Sequence, residues 1–207
     1  MTLTLDLHLP HPHLPRPRYH HYLRSSAIFS DDNRYRYRLQ RIWDDAMPLV
    51  GVVMLNPSTA DEHTDDATIR RVVGFAERFG YGGIDVCNLY GLRSRDPQML
   101  CGHVDPVGAD NDAHLMRLSR QRDLIVLAWG GNADHQRATH VTRLLMRGCA
   151  SHGASLAVLS WTQGGQPGHP LYLPKSTALQ CLTFDRSGRL PELTDRRWAE
   201  LMMASAA

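Results

Sequence analysis

Residues 49–66 read LVGVVMLNPSTADEHTDD, and the parsing of that stretch decides the fold. Leu49 to Leu55 is a short, nearly continuous apolar run, the pattern of a strand buried on both faces. Proline lacks an N–H for a ladder and biases the residue before it towards extended geometry, so Pro57 ends the strand with Asn56 at its carboxyl end. Ligands of open α/β sheets bind at that edge. An acidic elbow follows (Asp61, Glu62, Asp65, Asp66), with Asp65 expected as a helix N-cap and Asp66 as a favourable charge at the helix start. Ile69, Val72, Val73, Ala76 and Phe79 then recur at helical spacing up to Gly80. Strand, elbow and helix within about thirty residues make one βα unit.

The same order recurs downstream. Ile84–Leu89 is a second strand with Asn88 where its apolar run gives out, and Asp96-Pro97 has the cap-and-first-position signature of a helix start. A helix from Asp110 or Asn111 to about Arg120 precedes the third strand, Asp123–Trp129, which runs into Gly130-Gly131. A helix from about Ala133 to Arg147, ended by Gly148, leads to a fourth strand within Ser155–Trp161. Strands alternating with helices predict a three-layer α/β sandwich on a mainly parallel four-stranded sheet. Upstream, residues Tyr35 to Trp43 alternate apolar and basic with period two. This is expected to be an N-terminal edge strand or hairpin, with Tyr35, Tyr37, Leu39 and Trp43 packed and the arginines outward.

Residues 1–26 interleave His8, His11, His13, His20 and His21 with four prolines, a composition read as a disordered arm. Residues 27–207 are expected to form a single α/β domain, and the last fifteen or so to include a closing helix. Apolar residues at 43% and charged residues at 21% fit a globular protein. No run approaches the roughly eighteen apolar residues of a membrane span, and no signal-peptide pattern opens the chain. A cytoplasmic monomer is the expectation. A net charge of +2 leaves the partner open, although arginine, which supplies all but Lys175 of the 23 basic residues, suits phosphate. Cys87, Cys101, Cys149 and Cys181 form no CxxC pair and are expected to be ordinary buried thiols.

Right-handed crossovers put the ends of parallel strands on one edge. Asn56, Asn88, the Trp129-Gly130-Gly131 turn and His169, in the loop after the fourth strand, are therefore expected to converge. Two amides, a close-approach turn and an imidazole suit a planar polar ligand and a water, because an amide reads a donor–acceptor edge and a neutral histidine can donate to an oxygen gaining negative charge. Taken alone, either asparagine is better explained by local backbone bonding at a strand end, and Trp129 by core packing.

The run MLNPSTAD, followed in order by DDATIRR, FAERFGYGG, NLYGLRSRDP, PVGADND, AWGG and GHPLYL, resembles the domain of unknown function 1643 family over roughly residues 35–173. That family in turn is similar to the uracil-DNA glycosylase superfamily, whose motifs match here at Asn56-Pro57, Asn88, Ala128-Trp129-Gly130 and His169-Pro170. The resemblance implies a glycosylase-like fold and a nucleic-acid or nucleotide partner, with no cofactor or metal. It also implies a catalytic pair in which Asn56 orients water and His169 stabilises the departing base. Pro57, Ser58, Asn88, Tyr90, Trp129, Gly130 and Pro170 would line the base pocket, with Asn88 reading the base edge and Tyr90 stacking. Arg70, Arg93 and Gly168 would meet the nucleic-acid backbone. Ser58 and Thr59 stand where the glycosylases commonly have glycine or tyrosine, and Leu171 where they have serine, which points away from uracil towards a modified base.

Two other readings stay open on the residues: a magnesium- or manganese-dependent phosphoryl hydrolase using Asp61, His63, Asp65 and Asp66, and a catalytically silent nucleotide-binding module.

Overall fold

The computed structural model describes residues 22–182 and 195–203. Seven strands and four helices alternate along it: β1 (Arg24–Phe29), β2 (Arg36–Ile42), β3 (Leu49–Met54), α1 (Ala67–Arg78), β4 (Gly83–Asn88), α2 (Asn111–Gln121), β5 (Leu124–Leu127), α3 (His135–Ala150), β6 (Ser155–Val158), β7 (Gln180–Leu182) and α4 (Arg196–Met202). Among the described residues no helix is long and apolar enough to cross a membrane.

The sheet order is β1-β2-β4-β3-β5-β6-β7. The four apolar runs form its parallel centre, β4-β3-β5-β6. The sheet as a whole is mixed and seven-stranded: β1 and β2 form the hairpin, one of the two N-terminal arrangements expected, and pair antiparallel on one flank, while β7, which was not expected, pairs antiparallel on the other. Arg24–Ser26, assigned by composition to the arm, are the first half of β1; the rest of the arm up to residue 21 lies outside the described residues.

Alternate residues of the central strands enter two separate cores. Val50, Val52 and Met54 of β3 pack with Ile84, Val86 and Val126 against Ile69, Val72, Val73 and Ala76 of α1. Val53, with Cys87, Ile125, Leu127, Leu156 and Val158, packs against Leu115 and Leu118 of α2 and Val141 and Leu145 of α3. Both sheet faces are thus covered by helices, which explains runs too continuous for a half-exposed sheet. Helix α3 continues through Gly148 to Ala150. That glycine is a contact point between helices, since a Cβ there would stand 1.8 Å from the Ser119 Oγ of α2.

Strand β2 departs most from its sequence pattern. It lies inside the sheet, flanked by β1 and β4, and Arg36, Arg38 and Arg41 are buried, not outward. Ile28 of β1 pairs with Arg38 and Phe29 with Arg36, so Tyr37 is an extra residue in a β-bulge. The bulge resets the alternation. Tyr37 stacks on His114 and Arg38 reaches Gln121, both on the α2 side. Leu39 and Trp43 join the α1 core, and Arg41 pairs with Asp65 at 2.8 Å on that same side. Arg38 meets its charge partner in the fully buried Asp85, which also accepts from Arg122 and Gln40. The four cysteines are free thiols; Cys87 and Cys149 are buried, whereas Cys101 and Cys181 are exposed.

Candidate functional site

The polar elbows meet at a cleft of about 520 Å³ at the carboxyl edge of the parallel strands. Its walls come from the exits of β3 (Asn56, Ser58), β4 (Ser94, Arg95), β5 (Trp129, Gly130, Gly131) and β6 (Ser160, Trp161), the start of α1 (Asp66, Thr68) and the loop of His169 and Tyr172. Because β2 runs antiparallel to β4, its first residue, Arg36, reaches the same edge.

Asn56 is held by a clasp between two loops. Its Nδ2 donates to the carbonyls of Pro57 (3.1 Å) and Ser94 (2.8 Å), while the Ser94 N–H donates to the Pro57 carbonyl at 2.9 Å. With both amide protons engaged by carbonyls, Oδ1 is the atom left as an acceptor in the cleft. Pro57 is buried behind it and does not line the cleft, whereas Ser58 does.

His169 sits on a loop clipped to two strand exits. Gly168 donates to the Ser160 carbonyl at 2.8 Å, and a Cβ at Gly168 would fall 2.0 Å from the Ser160 Oγ. Gly130, at φ +80°, donates to the Pro167 carbonyl at 2.8 Å and leaves room for the His169 Cβ. The Trp129 indole N–H donates to Gln166 at 2.7 Å. From α1, Arg71 donates to the carbonyls of Pro170 and Leu173. His169 Nδ1 accepts from the Leu171 N–H, which assigns the ring proton to Nε2. Burial lowers the imidazole pKa, with Asp66 opposing, so the ring is neutral at pH 7 and Nε2–H is a donor.

The remaining expected residues divide. Trp129, Gly130 and Gly168 border the cleft, the first as a fully buried core side chain and the last as the close approach just described. Asn88, at 1% exposure, does not line the cleft, and neither amide atom has a partner among the described residues. By the alternation of β4 it lies on the same face as Ile84 and Val86. Tyr90 is packed in the α2 and α3 core, Pro170 is buried against α1, Arg70 bonds the Asp65 carbonyl and Arg93 lies over Phe29. None of these four reaches the cleft.

The acidic elbow is a structural loop. Asp61 Oδ1 accepts from the N–H groups of His63 and Thr64, Asp65 pairs with Arg41 and Tyr22, and His63 faces solvent beside Glu62. The N-cap of α1 is Asp66, one residue later than expected, because Arg41 holds Asp65; Asp66 Oδ1 accepts from Ile69 N. Among the described residues no three His, Cys, Asp or Glu groups stand where they could hold a metal ion.

Two cleft residues escaped the sequence reading in this role. Asp66 brings a carboxylate whose Oδ2 is not used by the cap. Arg36 brings a guanidinium at 2% exposure whose pKa is pulled down by burial to about 10, so it remains charged at neutral pH. Only the break in alternation at Tyr37 turns it into the cleft, and that break is a property of pairing.

The sequence pattern of a family described as "Protein of unknown function (DUF1643)" matches residues 36–171. The chain belongs to this family. The matched span begins at Arg36 and ends two residues after His169, so it takes in the cleft residues from β2 to Leu171 and stops just short of Tyr172 and Leu173. No curated protein and no solved structure matches the chain.

Proposed function

We propose that the cleft receives a nucleobase and that the protein hydrolyses the N-glycosidic bond of a modified base, in the manner of the uracil-DNA glycosylases that its motifs resemble. The observation that carries this reading is the pairing, in one cleft, of a pinned acceptor, Asn56 Oδ1, with a neutral donor, His169 Nε2–H.

Breaking the bond sends its electron pair to the base and leaves positive charge on the sugar. A neutral imidazole suits the first site of charge, donating to the base oxygen as it becomes negative without first having to lose a proton. At the sugar, Asn56 Oδ1 accepts one hydrogen bond from water and aims its oxygen at the anomeric carbon. An amide is not basic enough to take the water's other proton. The free Oδ2 of Asp66 is the carboxylate available in the same cleft. Base recognition by Asn88 is not part of this proposal, because its amide is buried away from the cleft.

The test is release of free base, separated chromatographically, from a panel of modified mononucleotides and of single- and double-stranded oligonucleotides. Wild-type protein is expected to release base from at least one member of the panel. Asn56→Ala and His169→Ala are expected to abolish release while retaining the cooperative thermal transition. No base from any substrate, or unimpaired release by both variants, overturns the reading; binding without turnover reduces it to a binding module.

A further inference from the structure

Several arginines pack against this sheet, and most have carboxylate partners. Arg38 and Arg122 share Asp85, and Arg41 has Asp65. Arg36 is the exception. It is as buried as Arg41 and makes no ion pair among the described residues; Nη1 donates to the Ala60 carbonyl at 2.5 Å, and Nε has no partner. A buried guanidinium short of a counter-charge is costly unless something completes it. It lies at the wall of this cleft, where a ligand can.

We propose that Arg36 is the core of an oxyanion subsite in this cleft, and that the ligand is a nucleotide whose phosphate group it binds. This rests on the nucleobase reading of the cleft and adds the second half of the ligand. The planar fork of arginine matches two oxygens of a phosphate. The start of α1 borders the same space through Asp66, Thr68 and Ile69, with the Asp66 cap engaging the N–H of Ile69. Ser58 and the exposed Arg95 supply further donors around it. Asp66 also faces the cleft, and its field acts on Arg36 without forming an ion pair. It therefore competes with the anion, and neutralising it strengthens binding.

The experiment measures binding by calorimetry on the full chain, with inorganic phosphate, a nucleoside, its 5′-monophosphate and a short oligonucleotide as probes. The monophosphate is expected to bind about tenfold or more tighter than the nucleoside, the value of one charge-assisted contact, and inorganic phosphate to compete with it. Arg36→Lys, which keeps the charge but loses the fork, is expected to abolish that advantage. Asp66→Asn keeps a capping side chain and is expected to tighten phosphate binding several-fold, so it decides the matter even if Arg36→Lys does not fold. Tight binding of the oligonucleotide alone, lost in Arg36→Lys, upholds the subsite with a phosphodiester as its source. Equal affinity for nucleoside and nucleotide without phosphate competition, or phosphate affinity unchanged in both variants, overturns it. Phosphate binding without base release removes the glycosylase reading and leaves the subsite. Base release from nucleosides with no gain from phosphate does the reverse.

Discussion

Replacing Asn56 by aspartate tests the orientation on which the proposed chemistry depends. The two side chains have nearly the same shape, so the substitution changes only what the second atom offers. In the wild type that atom is an NH₂ group donating to the carbonyls of Pro57 and Ser94 at 3.1 and 2.8 Å. In Asn56→Asp it is a carboxylate oxygen facing two carbonyl oxygens. Two neutral hydrogen bonds at about 1 kcal/mol each are lost, and repulsion in this half-buried position brings the expected destabilisation to about 2–3 kcal/mol at pH 7. Those carbonyls disfavour the charged form, so the folded pKa of the new carboxyl lies above its unfolded value. The deficit is therefore full above the folded pKa and shrinks as pH falls through it, where the protonated acid can again donate to one carbonyl. Urea unfolding of both proteins between pH 5 and pH 8 reads this directly. A deficit below about 0.5 kcal/mol that does not vary with pH would refute the pinned amide, and with it the assignment of Oδ1 as the acceptor that holds water.

Gly148→Ala should destabilise by about 1–2 kcal/mol although alanine is the better helix former, because the new methyl overlaps Ser119 of α2; a raised Tm would contradict this, and Gly148→Ala should cost less in a Ser119→Gly background than in the wild type. Asp85→Ala leaves Arg38 and Arg122 facing a buried void and should cost about 3–5 kcal/mol in denaturant unfolding, with a loss under 1 kcal/mol counting against a buried charge centre. Burial lowers the pKa of both His169 and His114 below the ordinary 6.5, so the unfolded chain binds more protons and stability is lost as pH falls from about 6.5 towards the folded values. Base release should share an acid limb below pH 6.5 through protonation of His169, and His114→Gln should alter the stability profile alone; an activity limb that moves with His114→Gln would undo the assignment.

The parallel centre was legible because Leu49–Leu55 and its three counterparts are apolar on both sides of the period, which only a sheet covered on both faces demands. Asn56 was legible for a related reason: a proline immediately after a buried run fixes where the strand ends. What failed turned on pairing and contacts that a linear pattern does not encode. The period-two reading of Tyr35–Trp43 broke because one residue is added opposite β1, which sends Tyr37 and Leu39 to opposite faces and turns Arg36 into the cleft. The capping residue of α1 was misplaced by one because Asp65 is bound by an arginine twenty-four residues upstream. Gly148 resembled a helix terminator, yet the space it preserves is for a side chain on another helix. Asn88 stands at a strand end just as Asn56 does, and only the registry of β3 against β4, which sets Met54 opposite it, shows that one amide opens into the cleft and the other is covered.

The bulge at Tyr37 makes the cleft sensitive to chain length in a way that side-chain chemistry does not reveal. Inserting one residue into β1 opposite Tyr37 would leave every arginine of β2 in the sequence and restore an unbroken ladder, yet alternation counted back from Leu39 would then put the first guanidinium on the α2 face. The position of the cation is thus written in the count of residues between two hydrogen bonds. Homologous chains that keep an arginine there but pair the Tyr37 position in register with β1 should offer the ligand an uncharged floor.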